Sequence, residues 1–175
     1  MQQANKNMKI CNMNWVYSLF IAVVGTLLHF LYAWSGENQI VALFSAVDES
    51  VFEHLKIFFV PAFLYSIFYV GRKEGVSLWC QTKSILLGLL AIIVLYYVYT
   101  GITQRNIDWL NVTIFYVAAL ISGYISSGCN CRTMSSEKDI IAGVILLLLW
   151  AIFIWFTFQM PFVFAQWLPG LFLES

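Results

Sequence analysis

Ser84 to Thr103 reads SILLGLLAIIVLYYVYTGIT, twenty consecutive residues without one Asp, Glu, Lys or Arg. As a helix this run rises about 30 Å, the thickness of a bilayer's hydrocarbon core. Three more charge-free runs of 20 or 21 residues flank it: Trp15 to Trp34, Trp109 to Gly128, and Ile140 to Met160. None alternates apolar and polar residues, as the strands of a membrane barrel would. The composition agrees: of 175 residues, 61% are hydrophobic and 10% charged, where a soluble domain carries about 25% charged residues. These runs predict an all-α fold, a polytopic membrane helix bundle forming a single integral domain over residues 1–175. With a shorter apolar run, Ile57 to Gly71, the count is five transmembrane helices. The spans are expected over residues 13–34, 46–71, 84–103, 109–128 and 140–160. Residues 161–175 (PFVFAQWLPGLFLES) carry two prolines and are too short to cross again. They are expected as an interfacial tail.

Lys6 and Lys9 precede the first run as they would in a secretory signal. The run is twice the usual signal length and lacks a small-residue cleavage site, so it is expected to stay attached as the first span.

Positive charge sets the orientation. Lys6 and Lys9 precede span one, Arg72, Lys73 and Lys83 separate spans two and three, and Arg132 and Lys138 separate spans four and five. The opposite side holds Arg105, with Lys56 at its border. By the positive-inside rule the N-terminus is expected in the cytoplasm and the C-terminus outside. Trp15, Trp34, Trp79, Trp109 and Trp167 fall near the span ends, where indole rings favour the lipid–water boundary. Gln104 to Asp108 is a short turn that makes spans three and four antiparallel neighbours, and Arg105 and Asp108 are expected to pair within it. Cys11, Cys80, Cys129 and Cys131 all fall toward the cytoplasmic side, where thiols stay reduced. The CNC pair is half of a zinc site at most. No basic patch supports nucleic-acid binding, and no glycine loop could cradle a phosphate.

The stretch Asp48 to Lys56 (DESVFEHLK) carries four of the eighteen charged residues and one of the two histidines. Ile57 to Gly71 supplies only about 22 Å of helix, short of the roughly 30 Å a bilayer core requires. Completing the span draws Glu53, His54 and Lys56 to the hydrocarbon edge, with Glu49 one turn above. Ionisable groups at such depth mark functional sites. Ser45 and Asp48 (SAVD) fit a capping box that would start the helix. At about 100° per residue Glu49, Glu53 and Lys56 then share one stripe, while His54 flanks it. Pro61 should kink the helix or free the Ile57 carbonyl.

The other histidine, His29, lies about 7 Å below the outer end of span one, a depth similar to that of Glu53. Small residues Ala22, Gly25 and Ala33 allow a close neighbour near its face. His29, Glu49, Glu53 and His54, with Lys56 beside them, are therefore the candidate binding residues of one pocket at the outer face between spans one and two. Three readings compete. The cluster can be structural, with Glu53 paired to Lys56 and the other acids favouring the helix start, in a structural or accessory membrane protein. His29, Glu49, Glu53 and His54 can hold a divalent metal cofactor, since imidazole with carboxylate suits zinc, manganese or iron; the E-x-x-x-E-H spacing matches neither zinc-protease motif. Alternatively, Glu53 and His29 relay protons in a small-molecule permease. Five spans without an inverted repeat would then need a homo-oligomer or a membrane partner.

His29 to Pro61 (HFLYAWSGENQIVALFSAVDESVFEHLKIFFVP) resembles an uncharacterised family of small multi-spanning membrane proteins of Firmicutes and related bacteria. Its pattern is H-F-x-Y-x-W-S-G, then F-S-A-V-N-E-S-x-x-E-H-x-K and a proline. The resemblance lends no activity. It implies only a signature of His29, Tyr32, Trp34, Ser35, Gly36, Asn38, Glu49, Ser50, Glu53, His54 and Lys56; the expected location is a bacterial cytoplasmic membrane. Asp48 stands where that pattern has Asn.

Overall fold

The computed structural model describes residues 14–72, 77–128 and 136–167. These form six helices: α1 (Trp15–Trp34), α2 (Gln39–Ala42), α3 (Val51–Arg72), α4 (Leu78–Thr103), α5 (Asp108–Ser127) and α6 (Ser136–Trp167). All but α2 are long and apolar enough to cross a membrane, as expected of an all-α membrane bundle. Leu19, Leu27, Leu90, Val98, Leu147, Leu148 and Trp155 are exposed on their outer faces; lipid, not water, suits such a surface. The chain is a multi-pass membrane protein.

Helix ends follow local chemistry. The Asn14 side chain accepts from Tyr17 N to begin α1. α1 ends where Gly36 takes φ +70°, a conformation natural to glycine, and Glu37 follows at φ 62°. Asn38 accepts from Ile40 N at 2.8 Å and starts α2. Gln104, at φ 51°, ends α4 and opens the tight turn into α5. The start of α4 is capped from another helix: Asp139 of α6 accepts from Ser77 Oγ and Trp79 N at 2.7 and 2.9 Å. A carboxylate at a helix N-terminus is favoured by the orphan N–H groups there.

α3 is the most deeply buried span and touches α1, α4, α5 and α6. Phe58 and Phe59 on it are fully buried. Gly88 of α4 makes room for Phe58: a Cβ there would stand 2.4 Å from the ring. Gly25 of α1 does the same for Phe115, and its missing Cβ would also lie 3.0 Å from the Ile57 carbonyl oxygen. Pro61 sits inside α3 and has no N–H to offer that carbonyl, so the freed oxygen faces the gap that Gly25 leaves. Farther along, α1, α4 and α5 share a buried polar seam. Tyr17 Oη meets Ser122 Oγ at 3.2 Å, Ser84 Oγ donates to the Ser122 carbonyl at 2.7 Å, and Ser126 Oγ donates to Gln81 Oε1 at 2.9 Å. Interhelical hydrogen bonds of this kind join helices where lipid offers no hydrophobic drive.

Several boundaries differ from expectation. The second span starts at Val51, not at 46. Ser45 is no cap: its hydroxyl donates back to the Val41 carbonyl. The cap is Ser50, whose Oγ accepts from Glu53 N at 3.3 Å, and Asp48 accepts from Ser50 N just before it. α6 continues through Pro161 to Trp167; residues 168–175 of the expected tail lie outside the described residues. Cys80 is disulfide-bonded rather than a free thiol, while Cys11, Cys129 and Cys131 lie outside the described residues. So do Lys6, Lys9, Lys73 and Arg132. Among the described residues Arg105 and Asp108 form no ion pair; Asp108 instead lines a cleft.

Candidate functional site

The charged stretch before and within α3 divides between two sides of the helix. On one side, Glu53 and Lys56 turn inward. The Lys56 side chain is 0% exposed and that of Glu53 5% exposed, and Nζ stands 2.6 Å from Glu53 Oε2. Nζ spends its other two protons on the Ala42 carbonyl at 2.8 Å and Thr157 Oγ1 at 2.7 Å. Glu53 accepts further from Val47 N at 2.9 Å and from the Thr157 hydroxyl at 2.6 Å. Every strong donor of the ammonium is used, which is how a buried pair offsets its desolvation. The network clamps the loop between α2 and α3 onto α3 and α6.

On the other side, the same loop delivers Glu49 to the two histidines. Glu49 Oε1 lies 3.5 Å from His29 Nε2, and Glu49 Oε2 lies 3.6 Å from His54 Nε2. The two imidazoles face each other at 5.3 Å between centroids. Both histidine side chains are mostly buried, at 24% and 21% exposure, whereas that of Glu49 is 79% exposed. One ligand atom from each of the three lies within 4.8 Å of the others.

One hydrogen bond bears on the tautomer of His54. His54 Nδ1 sits 2.9 Å from the Ser50 carbonyl. A carbonyl only accepts, so Nδ1 carries the proton and a neutral ring turns the bare Nε2 lone pair toward Glu49. A lone pair facing a carboxylate is repulsive unless a proton or another cation stands between. The separations of 3.5 and 3.6 Å exceed the ordinary hydrogen-bond range. They run to the two different carboxylate oxygens, and with one ligand atom taken from each residue the three lie within 4.8 Å of one another, near enough for one ion bound at about 2.1 Å to draw them together. His29 Nδ1 is buried without a hydrogen-bond partner.

The triad opens onto a cleft of about 490 Å³ between α1, α3 and α5. Gly25, Ile57 and Phe115 line it, with Thr26, Phe30 and Tyr116 on the α1–α5 side. Asp108, Asn111 and Val112 complete the lining. Tyr99 Oη, which donates to Asn111 Oδ1, orients that amide from α4.

Of the five candidate residues, then, the fold gathers His29, Glu49 and His54 and separates Glu53 and Lys56 from them. The shared stripe expected for Glu49, Glu53 and Lys56 is absent because Glu49 precedes the helix, so helical periodicity does not set its direction. Thr157, the partner of both inward charges, was not among the candidates. It and Gln159 are the strongly polar residues of an otherwise apolar run, which is the signal that could have marked it. Asp108 carried a weaker signal, an acid at the start of a span on the same side as the cluster.

The chain belongs to the Family of unknown function (DUF6512), whose model matches residues 2–170. No curated protein and no solved structure matches it.

Proposed function

We propose that this membrane protein binds a divalent transition metal through His29, Glu49 and His54 and presents the ion to the cleft. One observation carries the reading: two mostly buried imidazole nitrogens flank one carboxylate at 3.5 and 3.6 Å, longer than ordinary hydrogen bonds, with one ligand atom from each residue within 4.8 Å of the others. Neutral imidazole with carboxylate suits zinc, iron or manganese. Three protein ligands leave a coordination position free, the pattern of metal sites that engage a ligand rather than sites that only brace a fold. A bound ion would supply Lewis acidity to whatever oxygen occupies that position.

The chain's own residues do the positioning. Ser50 fixes the His54 tautomer, and the Glu53–Lys56–Thr157 network fixes the loop that carries Glu49. The cleft lies at the end of the bundle bearing Arg105, opposite the end bearing Lys83 and Lys138. The positive-inside rule supports placing it on the outer leaflet of a bacterial cytoplasmic membrane.

The test is metal analysis of protein purified in detergent with zinc, iron and manganese offered together. One ion per chain in the wild type, lost in His29→Ala and in His54→Ala, is the expected result. Unmetallated wild-type protein, or equal metal in all three, would refute the reading.

A further inference from the structure

The cleft is lined by both apolar and polar side chains. α1 and α5 are joined by hydrogen bonds from Ser18 Oγ to the Ala119 carbonyl, between Tyr17 and Ser122, and between Thr26 Oγ1 and Tyr116 Oη at 3.1 Å. Beyond Thr26, toward Trp34, no hydrogen bond joins the two helices among the described residues. Over those eight residues α1 rises about 12 Å, and the space beside it is the cleft. Phe30 on α1 and Val112 on α5 line it and are 47% and 53% exposed, an apolar rim. An aqueous ligand gains nothing from such a rim; an acyl chain is at home there.

Two polar groups of opposite sign line the same cleft. With a divalent ion bound, the His29–Glu49–His54 side carries net positive charge. Asp108, at the first turn of α5, is the other acid lining the cleft among the described residues, and among them no Lys or Arg lines it. Asn111, Phe115 and Tyr116 of the same helix also line it, and aromatic rings can attract cations. Asp108 and Trp109 also stand at the end of a span, the level of lipid headgroups.

We infer that the cleft takes the zwitterionic headgroup of a membrane phospholipid, admitted sideways between α1 and α5. A phosphate oxygen takes the metal's open position, the ammonium sits at Asp108, and the acyl chains leave over Phe30 and Val112. This rests on the metal site proposed above; it adds the class of ligand and its route of entry.

Native mass spectrometry tests it on zinc-loaded protein released from vesicles holding equal phosphatidylethanolamine and phosphatidylglycerol, with zinc and lipid counted in the same spectra. The ethanolamine lipid should be retained about tenfold over the glycerol lipid, the scale of one hydrogen-bonded charge contact. That preference should vanish in Asp108→Asn while zinc stays at one per chain, and vanish in the wild type after chelation. Zinc bound with no lipid preference would overturn this inference and leave the metal site standing. A preference that survives chelation would overturn the phosphate–metal contact, and free phosphoethanolamine displacing the lipid at equal concentration would overturn the bilayer route. Absence of zinc from the wild type would remove the metal site and this inference with it.

Discussion

Replacing Lys56 by Met removes the ammonium and keeps most of the side chain's length. The ammonium has three partners within 2.8 Å, the Glu53 carboxylate, Thr157 Oγ1 and the Ala42 carbonyl. Afterward Glu53 keeps only Val47 N and the Thr157 hydroxyl against a full buried charge. Removing one partner of a buried pair costs about 3–5 kcal/mol, and the orphaned Ala42 carbonyl lies within that range. For a chain of this size about 2–4 °C of melting temperature corresponds to each kcal/mol, so Lys56→Met should melt about 6–20 °C lower. The assay is thermal unfolding in detergent, followed by loss of the monodisperse peak. A second effect follows from the loop: Glu49 is held near the histidines by the same network, so zinc affinity should fall about 10–100-fold, as when the support of a metal ligand is removed. Replacing both charges with apolar residues, Glu53→Leu with Lys56→Met, should recover part of the lost stability because no charge is left buried alone. A melting temperature within about 2 °C of wild type for Lys56→Met, less than one kcal/mol on the same scale, would refute the reasoning about the clamp.

Four further outcomes are expected. His54→Ala should abolish zinc binding, measured by metal content, while Glu53→Gln at the neighbouring position should lower the melting temperature and, like Lys56→Met, weaken zinc binding without abolishing it. Gly25→Ala should destabilise by about 1–3 kcal/mol, the usual cost of overpacking, because its Cβ would stand 2.4 Å from Phe115 and 3.0 Å from the Ile57 carbonyl; thermal unfolding reads this directly. Ser50→Ala removes the hydroxyl that accepts from Glu53 N and should cost about 0.5–2 kcal/mol, with zinc binding retained because the Ser50 carbonyl still holds His54. Lowering the pH should release zinc, since protons compete for the imidazole nitrogens and metal binding must displace them; equilibrium dialysis that finds metal content flat across the histidine range would count against imidazole ligation.

The five spans were legible because lipid imposes a length, and an unbroken apolar run of that length is at home only across a bilayer. The forced depth of the charged stretch was legible for the same reason. What the residues alone did not disclose was direction. Ser45 and Ser50 both precede an acid by three positions, and only the fold shows that Ser50 starts α3, which leaves Glu49 in a loop with no periodic bearing. The sorting of Glu53 and Lys56 to the inner side depended on Thr157, over a hundred residues away in sequence, and a single span's pattern carries no record of which neighbour it will meet. His29 was placed at the right depth by counting rise, but its meeting with Glu49 rather than Glu53 was a matter of azimuth. Asp139 capping α4 belongs to the same kind, a polar contact between elements whose packing the sequence does not state.

Glu53 and His54 are consecutive residues that leave α3 on opposite sides. The inner carboxylate is fastened to a hydroxyl on α6 and a backbone amide in the loop. Its ammonium partner on α3 reaches the same hydroxyl and the Ala42 carbonyl, and a turn of the α3 axis would stretch these bonds to other segments together. The imidazole next to it inherits that stiffness without contacting any of them. Its bearing toward the cleft is thus indexed from behind, much as a dial is held by a detent on its hidden face, and lipid pressing on the open side meets a helix that cannot roll.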